Sequence, residues 1–178
     1  MNRFVAADPT KCIGCRTCEI ACATAHNSAD GPALLTNATF HPRVRVIKTA
    51  EVTTAVMCHH CEDAPCLNSC PEGAIYYREG SVQVEQSKCI GCKNCMMSCP
   101  FGVMEVVATP AVKEFAGVQM TTGVKAQAHK CDLCIDRANG PACVEACPTS
   151  ALRVVDQDSI EKARASLRIK TAVAAVAV

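Results

Sequence analysis

The chain has 178 residues, with 18 Lys or Arg and 17 Asp or Glu, so its formal net charge at pH 7 is +1. It contains no Trp, four Phe and two Tyr, so large aromatic side chains do not build the core. The sequence has no run of about 18 apolar residues, no basic run with interleaved aromatic residues and no glycine-rich phosphate loop. We therefore expect no membrane span, no nucleic-acid binding and no nucleotide site.

Cysteine is the most informative residue type, because 16 are present and all fall into groups of four. Each group opens with Cys-x-x-Cys and closes with Cys-x-x-x-Cys. In chain order the groups are Cys12, Cys15, Cys18, Cys22; Cys58, Cys61, Cys66, Cys70; Cys89, Cys92, Cys95, Cys99; and Cys131, Cys134, Cys143, Cys147. Such spacing is typical of [4Fe–4S] ligands and predicts four clusters. Since each oxidised cluster with its thiolates carries a charge of about −2, the net charge of the holoprotein is expected to be roughly −7.

Zinc and disulfide bonds are the other uses of closely spaced cysteines. The N-terminal residues MNRFVAADPTKC lack the apolar stretch of a signal peptide. We therefore expect a cytoplasmic chain with reduced thiols, in which Cys-x-x-Cys indicates metal. Structural zinc sites use two pairs separated by a longer loop, whereas Cys12–Cys22 and Cys89–Cys99 each place four cysteines close together. Iron–sulfur clusters are the preferred interpretation, and their ligation is expected to help the thin core fold.

The sequence repeats itself around the cysteines. Residues 10–18 match residues 87–95 almost one for one, and the last three groups are each followed by a proline and then an apolar pair. A proline and a small residue favour a turn, and the apolar pair is expected to open a strand. The predicted repeat is therefore a cluster loop, a short helical turn, a Cys-Pro corner and a strand.

The segments between the groups carry their own signals. Residues 23–57 predict a loop near Asn27-Ser28 and Asp30–Pro32, then strands at Arg43–Ile47 and Thr54–Met57.

The middle of the chain predicts a hairpin and then an insertion. Ala74–Tyr77 and Ser81–Val84 predict a β-hairpin that turns at Glu79-Gly80. Residues 108–129 contain Pro110 and two glycines and are predicted to form a surface insertion.

The C-terminal tail predicts a helix over Ile160–Lys170, capped by Asp158 or Ser159. Beyond it, Thr171–Val178 is small and apolar apart from the threonine. This end is either a frayed terminus or a segment that docks on a partner or on a second copy of the chain. A chain with four one-electron centres is most simply interpreted as an electron carrier. Self-association of this kind would place the terminal clusters of neighbouring chains close together and extend the electron path into an oligomer or filament.

The sharing of cysteine ligands between groups is expected to divide the chain into two units. In two-cluster ferredoxins three closely spaced cysteines hold one cluster and the fourth, before proline, holds the other. In the middle of the chain this places Cys58, Cys61 and Cys66 with Cys99, and Cys89, Cys92 and Cys95 with Cys70. The expected fold is α+β, with intertwined ferredoxin-like units built from short β-hairpins and short helices around four clusters. The outer unit is 1–57 with 108–155, the inner unit is 58–107, and 156–178 forms the tail.

Four segments carry a family resemblance: MNRFVAADPTKCIGCRTCEIAC, CHHCEDAPCLNSCPEGAI, KCIGCKNCMMSCPFGVMEV and KCDLCIDRANGPACVEACPTSAL. From Met1 to about Val155 the chain resembles the four-cluster ferredoxin-type subunits of molybdenum or tungsten oxidoreductases. It is most similar to the small subunits of formate hydrogenlyase and of hydrogen-dependent carbon dioxide reductase, and to hydrogenase-associated electron-transport proteins. The resemblance implies that the outer groups share clusters, with Cys12, Cys15 and Cys18 joined by Cys147, and Cys131, Cys134 and Cys143 joined by Cys22.

Two further residue types near the cysteines have alternative roles. His59 and His60 lie between Cys58 and Cys61 and can be read as ligands, but four thiolates per cluster favour hydrogen bonding to cluster sulfur. A lysine precedes the first cysteine of three groups, at Lys11, Lys88 and Lys130. These lysines are either solvated or offset cluster charge and raise reduction potentials.

The resemblance implies a non-catalytic electron-transfer subunit of an anaerobic complex for formate oxidation or carbon dioxide reduction. Its partners would be a formate dehydrogenase catalytic subunit and a hydrogenase subunit or another iron–sulfur subunit. The long apolar segment of membrane-bound formate dehydrogenase relatives is missing, which favours a soluble complex. The alternative is a maturation factor that delivers clusters, and exchangeable clusters without a stable complex would indicate it. A catalytic reductase has no support, because no Cys–His–Asp constellation is present.

Overall fold

The computed structural model describes residues 2–27, 35–37, 39–115 and 118–176. Most of the loop predicted near residues 27–32 lies outside these ranges. In chain order the elements are β1 (Phe4–Ala7), α1 (Thr17–Asn27), β2 (Val44–Lys48), β3 (Thr53–Met57), α2 (Pro65–Asn68), β4 (Ile75–Arg78), β5 (Ser81–Val84), α3 (Asn94–Met97), β6 (Glu105–Phe115), β7 (Val118–His129), α4 (Ala142–Glu145), β8 (Leu152–Val155) and α5 (Gln157–Val176). The predicted mixture of short helices and strands is confirmed.

The strands pair two by two, and every pair is antiparallel. The sheets are β1 with β8, β2 with β3, β4 with β5, and β6 with β7. The strands predicted at 43–47 and 54–57 are confirmed, since β2 and β3 cover them to within a residue at each end.

The two ends of the chain meet in one sheet. Phe4 of β1 lies opposite Val155 of β8, and Ala7 lies opposite Leu152. Helix α1 packs against α4 and β2. The first core lies between these elements and contains Val5, Cys18, Cys22, Val44, Val46, Ala55, Met57, Cys131, Leu133, Cys143 and Leu152. Small aliphatic side chains and cysteines thus fill the interior, as the lack of aromatic residues requires.

A second core lies around the β4–β5 hairpin. Its buried members are Ala64, Ile75, Val82, Cys95, Met104 and Ala128, and Cys61, Cys66, Cys70, Cys89 and Cys99 pack against it. The predicted hairpin is confirmed. Glu79 and Gly80 both have positive φ, at 50° and 69°, which matches the twist of a two-residue hairpin turn.

The short helices share one local design. Helices α2, α3 and α4 are single turns, and each ends with a backbone hydrogen bond from the group's last cysteine. Cys70 donates to Leu67 O at 3.2 Å, Cys99 to Met96 O at 3.3 Å and Cys147 to Val144 O at 3.3 Å. The chain then turns at the third residue after each of these cysteines, where Gly73, Gly102 and Ser150 have φ of 57°, 61° and 50°. The predicted sequence of helical turn, corner and strand is confirmed in all three repeats.

The insertion predicted at 108–129 is more regular than expected. It forms most of a long antiparallel hairpin of 11 and 12 residues, β6 and β7, with a register irregularity between Ala111 and Val112. Pro110 lies within β6, and in the described residues β6 pairs with β7 alone. A proline is tolerated there because one side of the strand needs no ladder hydrogen bond.

The tail helix is longer than predicted and has a different cap. Helix α5 runs from Gln157 to Val176. The predicted cap at Asp158 or Ser159 is wrong. Asp156 Oδ1 accepts the Ser159 N–H at 2.8 Å, while Ser159 Oγ accepts the Asp156 N–H at 2.9 Å. This reciprocal pair is a capping box that starts the helix earlier. Within the described part of the chain, no helix has the length and apolarity to cross a bilayer.

Candidate metal centres

All sixteen cysteines lie in described residues, and each is a free thiol. Fourteen are buried or half-buried, while Cys15 and Cys92 are exposed. These two occupy equivalent places in the matching segments Cys12–Cys15 and Cys89–Cys92. Each stands two residues after an isoleucine, Ile13 or Ile90, that is 62% exposed.

Cys70 shares a cavity with three cysteines of the next group. The cavity is lined by Cys70, Cys89, Cys92 and Cys95 among apolar residues such as Ile75 and Val84. Sequence reasoning placed these four thiols together, and the structure brings them to one cavity.

A second cavity is lined by the other thiols of the middle groups. Cys58, Cys61, Cys66 and Cys99 line it, together with Val82, Phe101 and Lys130. The ring of His59 stacks on Phe101 at a centroid distance of 4.2 Å and on Phe4 at 5.6 Å. Phe4 belongs to β1, and Phe101 lies just after Cys99. His59 therefore links β1 to the segment after Cys99 by stacking, and these contacts hold its ring in a packing role and not as a cluster ligand.

The outer cysteines are brought together by α1 and α4. Burial raises the pKa of the Cys143 thiol far above its usual range, and its neighbours Cys131, Cys22 and Cys134 raise it further. The charge of Cys22 likewise acts on the pKa of Cys134, and the charge of Cys147 acts on the pKa of Cys15. Cys12 is half-buried in the turn after β1, where its N–H donates to Asp8 O at 3.1 Å.

Most buried thiols would hold their protons at neutral pH without metal. Burial raises the pKa of Cys18 and Cys95 to about 11 and that of Cys131 to about 12. Two outer thiols differ. The Thr17 hydroxyl donates to Cys15 Sγ at 3.3 Å and lowers the pKa of that thiol. For Cys147, burial acts upward, but hydrogen bonds from the Leu152 backbone and Thr149 outweigh it and lower the pKa. Cluster binding must therefore displace protons from most sites.

Several polar groups suit a cluster at these sites. Backbone N–H groups of Arg43, His60 and Ala74 donate to the sulfurs of Cys22, Cys58 and Cys70 at 3.2, 3.4 and 3.3 Å. Such bonds stabilise thiolates.

His60 supplies a further test of fit. Its side chain is 1% exposed, and Nδ1 accepts the Val82 N–H at 3.0 Å, so the proton of the neutral ring lies on Nε2. Nε2 is buried without a partner among the described residues. A cluster sulfur beside Cys58 and Cys61 is a chemically suitable acceptor, and the residues present therefore fit the clusters.

The residues around Cys22 form an ionic network that sequence reasoning missed. Arg43 and His26 both contact the Asp132 carboxylate, His26 at 3.1 Å. Asp132 also accepts the Cys134 N–H at 2.9 Å, and His26 Nδ1 lies 2.7 Å from Cys22 O. Asp132 follows Cys131, where two of the other groups have Ile13 and Ile90. The charged residue at this position was the sequence signal that could have indicated the ionic network.

The three lysines that precede cysteine groups differ in environment. Lys11 is 59% exposed and lies 3.8 Å from an Asp8 oxygen, and Lys88 is exposed. Lys130 is 3% exposed, and its Nζ donates to Cys131 O at 2.6 Å and to Val82 O. Only Lys130 of the three is therefore in a position where water does not screen its charge.

Comparisons with known proteins agree with this site. Residues 49–157 match the family model described as "4Fe-4S dicluster domain", and residues 9–25 match "4Fe-4S binding domain". The chain is 51% identical over 172 residues to the "Electron transport protein HydN" of Escherichia coli (strain K12), covering 97% of this chain and 98% of the relative. It is 53% identical over 164 residues to the "Putative electron transport protein YsaA" of the same strain, covering 92% and 96%.

A third relative of the same strain is "Hydrogenase-4 component A", which is 39% identical over 184 residues and covers 91% of this chain and 86% of the relative. The dicluster model spans more than half of the chain, and these relatives match nearly all of it. The chain therefore belongs to the 4Fe-4S dicluster family of ferredoxin-type electron-transfer subunits, and its sixteen cysteines carry four [4Fe–4S] clusters.

Proposed function

We propose that the chain relays electrons along a line of four clusters between a molybdenum or tungsten formate dehydrogenase subunit and a hydrogenase subunit. Clusters held by these cysteines would each supply a one-electron redox centre, and the chain would hold the four centres in a fixed series. The observation that carries this proposal is the order of the cysteine sets, with exposed thiols at the two ends of the series.

Four ligand sets underlie the relay. The first cluster takes Cys12, Cys15, Cys18 and Cys147; the second takes Cys22, Cys131, Cys134 and Cys143; the third takes Cys58, Cys61, Cys66 and Cys99; and the fourth takes Cys70, Cys89, Cys92 and Cys95. The two lined cavities support the third and fourth sets. The neighbour relations of Cys143 and Cys15 support the second and first.

Contacts between sets support a single order. Cys18 of the first set and Cys143 of the second lie in the first core, and Cys58 of the third set packs against that core. Cys66 of the third set packs against the second core, which contains Cys95 of the fourth. The charge of Cys58 acts on the buried Cys131 thiol and so links the third set to the second, which supports an order from first to fourth. This supports an outer unit, 1–57 with 108–155, that holds two clusters and an inner unit, 58–107, that holds the other two.

The two ends of this series are the accessible points. Cys15 belongs to the first set and Cys92 to the fourth, and the other fourteen cysteines are at least partly buried. Exposed Ile13 and Ile90 beside them offer apolar contact to a partner. Basic residues surround both, with Lys11 and Arg16 near one and Lys88 and Lys93 near the other. A partner surface with an apolar centre and acidic rim fits each end.

The partners are inferred from resemblance and from relatives' names. One relative is named as a hydrogenase component and others as electron transport proteins. These names support a hydrogenase at one end. The formate dehydrogenase partner rests on the resemblance of the four cysteine segments to the small subunits of formate hydrogenlyase.

A reconstitution tests the relay. The anaerobically purified chain is mixed with a formate dehydrogenase catalytic subunit and a hydrogenase, and hydrogen evolution from formate is measured. We expect evolution only when the chain is present, and no formate oxidation by the chain alone with a dye. Ile13→Asp and Ile90→Asp should each weaken transfer to one partner, whereas Val124→Asp, at a position 73% exposed on β7, serves as the control. Cluster transfer to an apo-partner without a stable complex would contradict the relay and indicate a maturation factor.

A further inference from the structure

Lys130 is a buried cation with no carboxylate partner among the described residues. Its side chain is 3% exposed, and its two hydrogen bonds go to neutral carbonyl oxygens, those of Val82 and Cys131. Burying an ammonium group without an opposite charge is costly. The site therefore needs an anion other than the carboxylates of the described residues.

The carboxylates that share a cavity with Lys130 have other partners. Asp132 and Asp136 line that cavity, but Asp132 contacts Arg43 and His26, and Asp136 is 83% exposed and lies 3.6 Å from Arg78. Among the described residues this leaves the iron–sulfur centres, whose cysteine ligands lie beside Lys130, as its counter-ions.

Lys130 lies between the second and third ligand sets. Its Nζ donates to the carbonyl of Cys131, a ligand of the second cluster, at 2.6 Å. Its side chain also lines the cavity of Cys58, Cys61, Cys66 and Cys99, the ligands of the third. One fixed positive charge thus faces both middle sites. Lys11 and Lys88, which occupy the equivalent sequence position before other groups, are exposed and screened by water.

We propose that Lys130 is the shared counter-ion of the second and third clusters and raises their reduction potentials above the values they would have without it. This inference rests on the ligand sets of the proposed function. Reduction adds one electron to a cluster and makes it more negative, so a buried cation favours the reduced form. The same charge lessens the repulsion between an electron on the second cluster and one on the third. Lys130 acts by its position and does not itself exchange protons or electrons.

The experiment is an EPR-monitored redox titration of the anaerobically purified full chain, with iron counted for each sample. The variants are Lys130→Met, which keeps the length of the side chain, Lys130→Arg, which keeps the charge, and the control Lys162→Met, at an exposed lysine of α5. We expect Lys130→Met to lower the equilibrium constant for reduction of two of the four clusters at least tenfold, which is 59 mV for a one-electron couple. Lys130→Arg should retain most of the wild-type potentials, and Lys162→Met should leave all four potentials nearly unchanged.

The affected couples are assigned by repeating the titration with Cys134→Ser and Cys61→Ser, each of which alters one middle couple. Unchanged potentials in Lys130→Met, or equal shifts in Lys162→Met, would overturn the proposal, as would shifts confined to the terminal couples. If Lys130→Met loses clusters, full retention of clusters and potentials in Lys130→Arg supports the role of charge, whereas loss in both variants overturns it. The potentials are measured without partners, so failure of the formate–hydrogen relay is detected separately.

Discussion

Gly91 lies so close to Ala126 that a Cβ atom placed on Gly91 would be 2.2 Å from the Ala126 Cβ. The loop that contains Cys89 and Cys92 therefore contacts strand β7 directly. Gly91 also has a φ of 71°, in the left-handed region. The long hairpin thus acts as a support for the ligand loop of the fourth cluster, and only glycine fits at the contact.

Replacing Gly91 with Ala is predicted to displace the loop and cost the chain its fourth cluster. The matched variant is Gly102→Ala, because Gly102 has a φ of 61° and no atom within 4 Å of the added Cβ. Both variants bear about 1–2 kcal/mol of left-handed strain, but only Gly91→Ala adds the clash. Anaerobic iron analysis should give about twelve iron atoms per chain for Gly91→Ala and about sixteen for Gly102→Ala, at four per cluster. Equal iron contents would show that the contact with Ala126 has no role.

The wild-type chain is predicted to contain about sixteen iron and sixteen acid-labile sulfide per polypeptide, since four cysteines bind one [4Fe–4S] cluster. The measurement is anaerobic metal and sulfide analysis combined with EPR of the reduced protein. Stoichiometric zinc, or about eight iron atoms, would contradict the four-cluster content.

Cys147→Ser is predicted to alter the cluster held by Cys12, Cys15 and Cys18, although Cys147 lies in the last cysteine group. The control is Cys134→Ser, from the same group, which should alter the cluster completed by Cys22. Each variant should change one of the four EPR couples, and the two changes should differ. The same couple changing in both variants would mean that the ligands do not cross between the outer groups.

The His26–Asp132 ion pair is predicted to make cluster retention depend on pH. Burial lowers the His26 pKa, but the contacts with Asp132 and Cys22 outweigh it and raise the pKa to about 9. The stability from His26 is therefore complete below its ordinary pKa of about 6.5 and is lost as the pH rises through about 9. Burial alone would raise the Asp132 pKa, but His26 and Arg43 bring it well below its usual range. Its contribution is complete above about pH 4 and is lost only in acid.

The measurement is the half-life of the visible cluster absorbance at elevated temperature, from about pH 6 to about pH 10. Relative to His26→Gln, the wild type should hold its clusters longer near pH 6, and the advantage should disappear above about pH 9. Asp136→Asn, at an aspartate that is 83% exposed, should follow the wild type. A ratio of half-lives that does not change with pH would contradict the assigned charge of His26.

Removal of the chain after Lys170 is predicted to weaken self-association or partner binding. Helix α5 continues to Val176, and Val173, which lies in the part that the truncation removes, is 65% exposed. Burial of such side chains gains roughly 25 cal/mol per Å². Particle mass and complex formation of the truncated and full-length chains should differ. Identical assembly would mean that residues 171–178 bind neither a partner nor a second copy of the chain.

Much of the site was predictable because ligand spacing is a local property. Cys-x-x-Cys repeats and the Cys-Pro corners are short-range signals, and the turn at Glu79-Gly80 follows from residues that tolerate positive φ. The long β6–β7 hairpin was missed because Pro110 and two glycines read as loop chemistry. The strand forms there since its free edge tolerates proline.

Burial could not be inferred from the same patterns. Lys11, Lys88 and Lys130 occupy equivalent places before a cysteine, yet only Lys130 is enclosed. What encloses it is β5, whose Val82 carbonyl accepts from Nζ. Likewise His26 and Asp132 lie more than a hundred positions apart and meet only because α1 packs on the loop after β7. Contacts between residues so distant in sequence depend on tertiary packing, and no local sequence pattern predicts them.

The pairing of β1 with β8 also imposes an order on biosynthesis. Cys12, Cys15 and Cys18 leave the ribosome early, but the strand that completes their sheet, and Cys147 beside it, is made almost at the end. At a synthesis rate of about 5–20 residues per second, the first thiols remain without Cys147 for a time on the order of ten seconds. The middle groups complete their own set once Cys99 emerges. Cluster insertion should therefore begin in the centre of the polypeptide and finish at its joined ends, and the earliest cysteines made are the ones most exposed to oxidation before the fold closes.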